Sequence, residues 1–347
     1  MSASAQRDSQ HQVCLTGIQA TGDPHLGNLV GAIRPALRLA ERFDSLYFIA
    51  DYHALTTVRD PAEIAHSTRS VAATWLAAGL DPDRTVLYRQ SDVPEIFELT
   101  WALSCLTPKG LMNRAHAYKA ARDRNREQGV EDLDAGINMG TYNYPVLMAA
   151  DIIIMDTDFV PVGRDQAQHV EYAADIAGAF NAVFGGHVLK VPKPLVPTEE
   201  TAQSLPGTDG RKMSKSYGNT IPVGLPENEL RKVIRRIPTD STPVAEPKDP
   251  DSSVVFQILA HFAPPEVTAR TREELKAGGL GWGELKDRLF TVLNSELTPM
   301  RECYDAMMAP DSPLDGLLAE GAEKAREHAR PVLARVRRAV GISGWPC

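Results

Sequence analysis

The first half of the chain alternates short apolar runs with segments whose apolar residues recur at helical spacing. The first apolar run, VCLTGIQ, covers residues 13–19 and is followed by Gly22. Beyond the glycine, Leu29, Ile33 and Leu37 repeat every four residues, as on one face of an amphipathic helix. The pattern therefore predicts a strand, a glycine turn and a helix at the start of the chain.

The same alternation continues further along the chain. Apolar runs at 45–50 and 85–88 predict two more buried strands, and the segment 61–80 predicts a helix that begins with Pro and Glu and stops at Gly79. Another strand is predicted at 159–162 and another helix at 165–180. Strands that alternate with helices are typical of an α/β fold with a Rossmann-like, doubly wound parallel sheet, which we predict for residues 13–221.

Three segments are predicted to lack regular structure. Residues 1–12 are polar and are expected to form a disordered tail. Residues 115–133 are highly charged, with nothing apolar enough to anchor them, and are expected to form a mobile surface segment. Residues 192–206 hold four prolines and few apolar positions, which indicates a linker.

Beyond Asn219 the pattern indicates helices only. Helical spacing occurs in four segments separated by Pro-rich or irregular connections: 222–236, 252–262, 273–296 and 317–340. We therefore expect a second, all-helical domain at 222–347. A chain of 347 residues is long enough for two domains with a large core.

Composition narrows the class of protein. Apolar residues make up 43% of the chain and charged residues 24%, both ordinary for a soluble globular protein. No run reaches the roughly 18 apolar residues of a membrane span, and the polar N-terminus does not support a secretory signal. The four cysteines lack CxxC spacing, which argues against a metal site or a disulfide framework. We expect a protein of the reducing cytoplasm.

A net charge of −8 argues against a protein that coats nucleic acid indiscriminately. A specific RNA partner is still compatible with it, because phosphate contacts depend on local patches. One candidate patch is 231–236, and the other is a basic face of the last helix. That face carries Lys324, Arg326, Arg330, Arg335, Arg337 and Arg338. For both patches the alternative is a helix face exposed to solvent.

The first candidate site is the turn TGDPHLGN at 21–28. A helix that begins there points unpaired backbone N–H groups and the positive end of its dipole at the space above the strand's end, which suits a phosphate. The glycines let an anion approach the backbone, and His25 can donate a hydrogen bond to it. The alternative for His25 is a turn histidine bonded to its own backbone. The absence of GxGxxG argues against a nicotinamide-type dinucleotide.

The second candidate site is the loop RKMSKSYGN at 211–219. Lys212 and Lys215 are three residues apart between glycine and serine residues, as a mobile clamp on a polyphosphate requires. A charged loop that is merely solvated is the alternative for this segment.

HLGN and KMSKS together resemble the two motifs of the class I aminoacyl-tRNA synthetases. Within that class, TGIQATGDPHLGN, YPVLMAAD and VPVGRDQAQHVE are similar to tryptophanyl-tRNA synthetases of the bacterial type, and the resemblance runs from Val13 to the C-terminal helix. It implies activation of L-tryptophan with ATP to tryptophanyl-adenylate and pyrophosphate, then transfer of tryptophan to the 3′ end of tRNA(Trp). It also implies that Mg²⁺ arrives with ATP and has no dedicated protein site. A homodimer is implied as well, and neither a membrane nor DNA is expected as a partner. The helical domain of the family reads the tRNA anticodon, and its final helix packs back on the first domain.

The resemblance assigns a role to each motif residue. The attacking tryptophan carboxylate needs no general base, so the protein's work is alignment and charge stabilisation, which points to His25, Lys212 and Lys215 as catalytic. The ATP-binding residues implied are Gln19, Thr21, Gly22, His25, Gly27, Asn28, Gly163, Asp165, Gln166, Lys212, Met213, Ser214, Lys215 and Ser216. The tryptophan-binding residues implied are Leu15, Gln19, His53, Tyr144, Met148, Asp151 and Gln166. For Asp165 a helix N-cap, and for His53 a structural histidine, are the alternatives.

The expected tryptophan pocket lies on one helix face. Tyr144, Met148 and Asp151 occupy positions i, i+4 and i+7, which share a face. Met148 offers a deformable wall for an aromatic ring, and Asp151 offers an acceptor for the indole N–H. The alternative is an Asp151 carboxylate bonded to nearby backbone or an arginine. Tyrosine is the alternative substrate, although tyrosyl-tRNA synthetases tend to carry a polar residue at the position of Met148.

The sequence departs from the family at two places. Arg164 stands where relatives commonly have an acid, and the KxK pair that relatives use on the triphosphate is replaced around Lys119 and Arg122. Two further functions remain to be separated by experiment. A nucleotidyltransferase that adenylates another small acid would leave the helical domain unexplained, and a non-catalytic RNA-binding relative usually lacks the lysine loop, which is complete here.

Overall fold

The computed structural model describes residues 12–163, 167–196 and 205–342. At its centre is a five-stranded parallel sheet with the strand order β3-β2-β1-β4-β5. The strands are β1 (Val13–Gln19), β2 (Asp44–Ala50), β3 (Val86–Arg89), β4 (Phe159–Pro161) and β5 (Lys193–Leu195). The doubly wound α/β fold predicted from the alternation of strands and helices is confirmed.

The strand order brings the candidate motifs to one edge of the sheet. β1 and β2 pair from Val13 with Asp44 to Gln19 with Ala50, so their carboxyl ends lie side by side. The chain order reverses between β1 and β4, and ligands of such sheets bind outside the strand ends at this switch point. The turn after β1 and Gly163 after β4 both follow strands at this point.

Helices cover the sheet in the first half of the chain. The first, α1, is a continuous helical segment in three parts: Leu26–Asn28, a π-helical turn at Leu29–Ile33, and Arg34–Leu39. The others are α2 (Asp51–Ala54), α3 (Pro61–Ala77), α4 (Glu95–Ser104), α5 (Lys109–Met112), α6 (His116–Glu127), α7 (Met139–Ile153) and α8 (Ala167–Phe184). Asp60 caps α3 by accepting from the amide of Ala62, 2.9 Å away.

The expectation of an unanchored segment at 115–133 is wrong, because the chain there forms α6. Tyr118 and Ala121 are buried three residues apart, and the Tyr118 ring packs edge-on against Tyr142 at 4.8 Å. The Tyr118 hydroxyl also donates to Asp134 at 2.8 Å. A single aromatic residue on one face therefore anchors a helix that is charged elsewhere.

The linker predicted at 192–206 also contains regular structure. Residues 193–195 form β5, which pairs with β4 at the edge of the sheet, where Pro194 is tolerated. Residues 197–204 of this segment, the N-terminal residues 1–11, and the residues Arg164, Asp165 and Gln166 lie outside the described part of the chain.

The second half is helical, and the largest differences from the prediction are at 222–226, which are not helical, and at 273–296. Its helices are α9 (Glu227–Arg236), α10 (Val254–Phe262), α11 (Pro265–Ala277), α12 (Trp282–Met308) and α13 (Leu314–Ala339). The single helix predicted at 273–296 is wrong, because Gly278 and Gly279 adopt φ values of +83° and +99° and break it. A Cβ at Gly278 would lie 2.4 Å from the carbonyl oxygen of Ala245, so the break also lets the preceding loop pack closely.

One hydrophobic core joins the two halves. Leu26 and Leu29 of α1 belong to the same buried cluster as Leu285 and Leu293 of α12. A second cluster lies between the sheet, α4, α7 and α8, and includes Val332 and other residues of α13. Among the described residues, no helix is both long and apolar enough to cross a membrane.

The basic face of α13 packs against the half of the chain that contains the sheet. Arg326 and Arg330 meet Glu95, Arg335 bonds Asp156 at 2.6 Å, and Arg337 bonds Glu98. The Arg337 guanidinium lowers the pKa of Glu98 from its usual value. Lys324 donates to the carbonyl of Pro82 at 3.1 Å. These cations therefore dock the helix within the molecule, as the family resemblance implied for the final helix, and they form neither an RNA patch nor a face exposed to solvent.

Candidate active site

The glycine turn and the lysine loop lie against each other. The turn, residues 21–28, connects β1 to α1, and Gly22 in it has φ +75°. Residues that follow the lysine loop pair with the turn: Leu26 donates to Ile221 O at 2.9 Å and Val223 donates to Pro24 O at 3.1 Å. Two motifs nearly two hundred residues apart in sequence are thereby held in backbone register.

Lys215 reaches directly onto the turn. Its ammonium donates to the carbonyl oxygens of Thr21, at 2.5 Å, and Gly22, at 2.8 Å. Partial burial of this ammonium lowers the pKa of Lys215, and the nearby Asp23 carboxylate partly opposes that shift. Met213, which is buried, places its thioether sulphur 3.3 Å from the amide nitrogen of Gly27. The loop therefore covers the part of the turn that the sequence predicts to bind a phosphate.

The loop keeps its shape through Asn219, a residue that the sequence analysis did not single out. Asn219 is buried, accepts from the Ser214 amide at 2.8 Å and donates to Asp209 at 2.7 Å. Its amide also donates to the Lys212 carbonyl at 3.2 Å. Because these bonds span the loop, they leave the side chains of Lys212 and Ser216 exposed to solvent. The position of Asn219, a polar residue at the end of the RKMSKSYGN motif, was the signal that could have identified it.

His25 is a buried histidine with an unsatisfied nitrogen. Its side chain lies at the start of α1, and its backbone amide donates to the Asn28 side chain at 3.1 Å. The Nδ1 atom is buried and has no hydrogen-bond partner. Burial, followed by the charge of Lys215, lowers the pKa of His25 to about 4, so the ring is neutral at pH 7. A Cβ at Gly27 would lie 2.9 Å from this ring, which explains the glycine there.

A second polar cluster lies at the carboxyl ends of β2 and β3. Asp151 on α7 is completely buried, and the Gln90 amide donates to its Oδ1 at 2.8 Å and its Oδ2 at 3.0 Å. The Nε2 atom of His53 lies 3.0 Å from Oδ2. Burial raises the pKa of Asp151, and the bonds from His53 and Gln90 oppose this rise. The partners of the Asp151 carboxylate are therefore the side chains of Gln90 and His53, and not the backbone or arginine of the alternative.

Gln90 is a residue that the sequence analysis missed, and Asp51 is one to which it gave no role. Asp51 is buried, receives bonds from the amides of Tyr52 and Ser91 at 2.9 and 3.1 Å, and binds the Ser91 hydroxyl. Burial raises the pKa of Asp51 despite these donors. Both residues follow directly after a strand of the parallel sheet, which was the signal that could have identified them.

The other predicted pocket residues surround this cluster. The Tyr144 hydroxyl lies 2.9 Å from Nε2 of His169, and its ring lies 6.4 Å from that of His53. Met148 is half-buried on the same helix, and the Gln19 amide donates to the carbonyl of His53 at 2.9 Å. Leu15 is fully buried in β1 as part of the core. The structure thus gathers Gln19, His53, Tyr144 and Asp151 at one end of the sheet.

The site offers donors for an anion but no cage for a resident metal ion. Within residues 12–163, 167–196 and 205–342, no group of three or more histidine, cysteine, aspartate or glutamate side chains could hold a metal. The turn and the lysine loop instead offer the Lys215 ammonium, the Gly27 amide and the unpartnered Nδ1 of His25. This donor set suits a polyphosphate that brings its own counterion.

Known proteins resemble the chain along most of its length. The family model described as tRNA synthetases class I (W and Y) matches residues 7–298. The chain is 55% identical over 330 residues to the tryptophan–tRNA ligase of Pseudomonas aeruginosa, covering 94% of this chain and 73% of that protein. It is 52% identical over 330 residues to that of Neisseria meningitidis, covering 94% of this chain and 97% of the relative. Among solved structures, tryptophanyl-tRNA synthetase from Campylobacter jejuni complexed with ADP and tryptophan superposes with a TM-score of 0.86 at 39% identity, over 95% of this chain and 100% of that one.

Proposed function

This chain belongs to the class I tRNA synthetases for tryptophan and tyrosine, and we propose that within this family it is a tryptophan–tRNA ligase. It activates L-tryptophan with ATP to tryptophanyl-adenylate and pyrophosphate, and then transfers tryptophan to the 3′ end of tRNA(Trp). The observation that carries the proposal is the contact of Lys215 with the turn that bears the unpartnered His25 nitrogen.

Activation requires charge stabilisation more than proton transfer. The tryptophan carboxylate attacks the α-phosphorus of ATP, and the bond to the leaving pyrophosphate breaks. Positive charge and fixed N–H donors stabilise this transfer. Lys215 and Lys212 are proposed to hold the departing pyrophosphate, with Ser214 and Ser216 as further donors and Mg²⁺ carried in with ATP. The neutral ring of His25 suits a hydrogen-bonding role better than a proton-transfer role, because its pKa is near 4.

Triphosphate binding is expected to rearrange the lysine loop. The Lys215 ammonium now bonds two neutral carbonyls, and the Gly27 amide faces a thioether sulphur, which is a weak acceptor. A phosphate oxygen carries negative charge, so its bond to the Gly27 amide is charge-assisted and its bond to the Lys215 ammonium adds the attraction between opposite charges. ATP therefore competes well for both donors, and the loop exchanges its internal contacts for contacts with ATP.

Tryptophan is proposed to bind beside Asp151. A carboxylate has about four acceptor positions, and the donors from Gln90 and His53 occupy three of them. The remaining position is proposed to accept from the indole N–H when tryptophan binding opens the buried carboxylate to the ligand, while Met148 and Tyr144 provide walls for the ring. Leu15 and Gln19 complete this pocket in the proposal. Gly163, Asp165 and Gln166 are proposed by family resemblance to bind the ribose and the amino-acid head group.

A homodimer is proposed by family resemblance. Two exposed apolar side chains are candidates for its contacts, since Trp101 on α4 is 74% exposed and Val183 on α8 is 61% exposed. We further propose that the helices from α9 onward bind the tRNA anticodon, and that the enzyme works in the cytoplasm.

The test is amino-acid-dependent exchange of pyrophosphate into ATP, measured with each of the twenty amino acids. Exchange with tryptophan alone, followed by charging of tRNA(Trp), supports the proposal. Exchange with tyrosine alone would assign the substrate to the alternative. A folded protein that exchanges with none of them would contradict catalysis and favour a non-catalytic RNA-binding role, while exchange with another acid and no charging would indicate a nucleotidyltransferase.

A further inference from the structure

Asp23 is a carboxylate inside the glycine turn, and side chains from α3 converge on it. Its Oδ1 atom accepts from the Ser70 hydroxyl at 2.7 Å and lies 2.9 Å from Nε2 of His66. The neighbouring amide of Gly22 donates to the hydroxyl of Ser67 at 2.8 Å. The polar face of α3 thus supports the turn at two consecutive residues, while Lys215 contacts the carbonyl of Gly22.

A tyrosine of the helical half extends this connection. The hydroxyl of Tyr304 on α12 lies 2.8 Å from Oγ of Ser70. Because the single proton of Ser70 is directed at Asp23, the Tyr304 hydroxyl must donate to Ser70. Burial raises the pKa of Tyr304, which keeps that proton in place. The result is a directed chain from Tyr304 through the completely buried Ser70 to Asp23, and such chains polarise their members.

The Tyr304 ring also packs on the segment that pairs with the turn. A Cβ on Gly224 would lie 2.9 Å from Cε1 of Tyr304, so the ring rests directly on this glycine. Two residues earlier, Pro222 forms a bridge with His25, and Val223 donates to Pro24 O. Tyr304 therefore reaches the turn by two routes, one through hydrogen bonds and one through the backbone.

We propose that Asp23 and Tyr304 are positioning residues for ATP activation, which set the place of the glycine turn relative to the helical half. The inference rests on the proposed function for its reaction, but it concerns residues outside the motif positions already assigned. Neither side chain needs to touch substrate. Their effect passes through the backbone of residues 21–25, which carries the carbonyls bonded by Lys215 and the ring of His25.

The test compares Tyr304→Phe, Asp23→Ala and the double variant. Each is assayed for the KM of ATP and of tryptophan in pyrophosphate exchange, for kcat, and for the Kd of ATP by equilibrium titration. We expect Tyr304→Phe to weaken ATP binding about five- to tenfold, the size of one lost hydrogen bond. Asp23→Ala loses the contacts with both Ser70 and His66 and should weaken ATP binding at least as much, and the KM of tryptophan should be unchanged in both variants. The double variant should bind ATP no more weakly than the single variant with the larger loss of affinity, because both residues act through the same Ser70 hydroxyl.

Thr291→Val on α12 is the matched control, because its hydroxyl bonds the Asp287 carbonyl of the same helix. It should leave ATP binding unchanged. A fall in melting temperature with unchanged ATP parameters in Tyr304→Phe and Asp23→Ala would overturn the proposal, and so would additive effects in the double variant. The two possible failures give different results. If the proposed function is wrong, the unsubstituted protein shows no exchange, whereas the Kd of ATP measured directly tests the positioning role without relying on exchange.

Discussion

The amide of Gln90 donates to both carboxylate oxygens of Asp151, at 2.8 and 3.0 Å, within a completely buried cluster. A buried carboxylate is costly unless it is hydrogen-bonded, so this bidentate donor supports the charge that the tryptophan pocket is proposed to use. Gln90 also accepts from the backbone amide of Tyr52 at 3.2 Å, which fixes the amide orientation.

We therefore expect Gln90→Leu to weaken the binding of tryptophan. Loss of the donor leaves Asp151 short of a partner, raises its pKa further and disfavours the charged acceptor, with a cost of about 1.5 to 3 kcal/mol. The KM of tryptophan should rise at least tenfold while the KM of ATP stays the same. Gln257→Leu, which alters a half-buried glutamine bonded to Asp251 O, is the control. Equal losses for tryptophan and ATP would show that Gln90 supports the fold and not the pocket.

The low pKa of His25 predicts how stability depends on pH. Because the folded pKa of about 4 lies below the usual 6.5, the unfolded chain binds a proton that the folded chain excludes. This contribution to stability is fully present above pH 6.5 and is lost as the pH falls toward 4. Urea unfolding should therefore show that His25→Gln reduces the loss of stability between pH 7 and pH 5 by about 2 kcal/mol. Parallel pH profiles for the two proteins would mean that His25 is not held neutral.

Lys215 is expected to act on the phosphoryl transition state. Lys215→Ala should lower kcat for tryptophan activation by about two to three orders of magnitude, because a preorganised charge is lost where negative charge develops. Tryptophan binding should hardly change. Lys232→Ala removes an exposed lysine that pairs with Glu229 on α9, and it should be silent in this assay. A comparable loss of tryptophan affinity in Lys215→Ala would contradict the assignment.

We expect Asn219 to hold the lysine loop in one conformation. Asn219→Ala removes the bonds to Ser214, Asp209 and Lys212 at once, so the loop should sample other conformations. We expect kcat for activation to fall about tenfold and protease cleavage within 211–217 to become faster, as for a segment with few remaining contacts. Asn228→Ala, near the start of α9, serves as the control. Unchanged cleavage and kcat would show that the loop is ordered by other contacts.

The sequence predicted the sheet and the two motifs because their signals are local. Apolar runs such as 45–50 and glycines such as Gly22 act within a few residues, and the structure follows them closely. The segment 115–133 was mispredicted since its anchor is one ring, Tyr118, whose partner Tyr142 lies on another helix. Composition alone does not reveal such a tertiary contact.

The partners of the site residues could not be predicted for a related reason. The sequence places Asp151 in an apolar helix, which signals a need for partners, but Gln90 lies 61 residues away and reaches it only through the sheet. The bond from Tyr304 to Ser70 spans 234 residues. Contacts of this separation depend on how the helices pack, and helix packing has no short sequence signature.

The most direct test of the central claim is a crystal structure of the protein with a non-hydrolysable ATP analogue and tryptophan. We predict that the Lys215 ammonium leaves the carbonyls of Thr21 and Gly22, that it and Nδ1 of His25 lie about 3 Å from phosphate oxygens, and that the indole N–H donates to Asp151. A bound triphosphate with Lys215 still on those two carbonyls and the His25 nitrogen still unpartnered would contradict it.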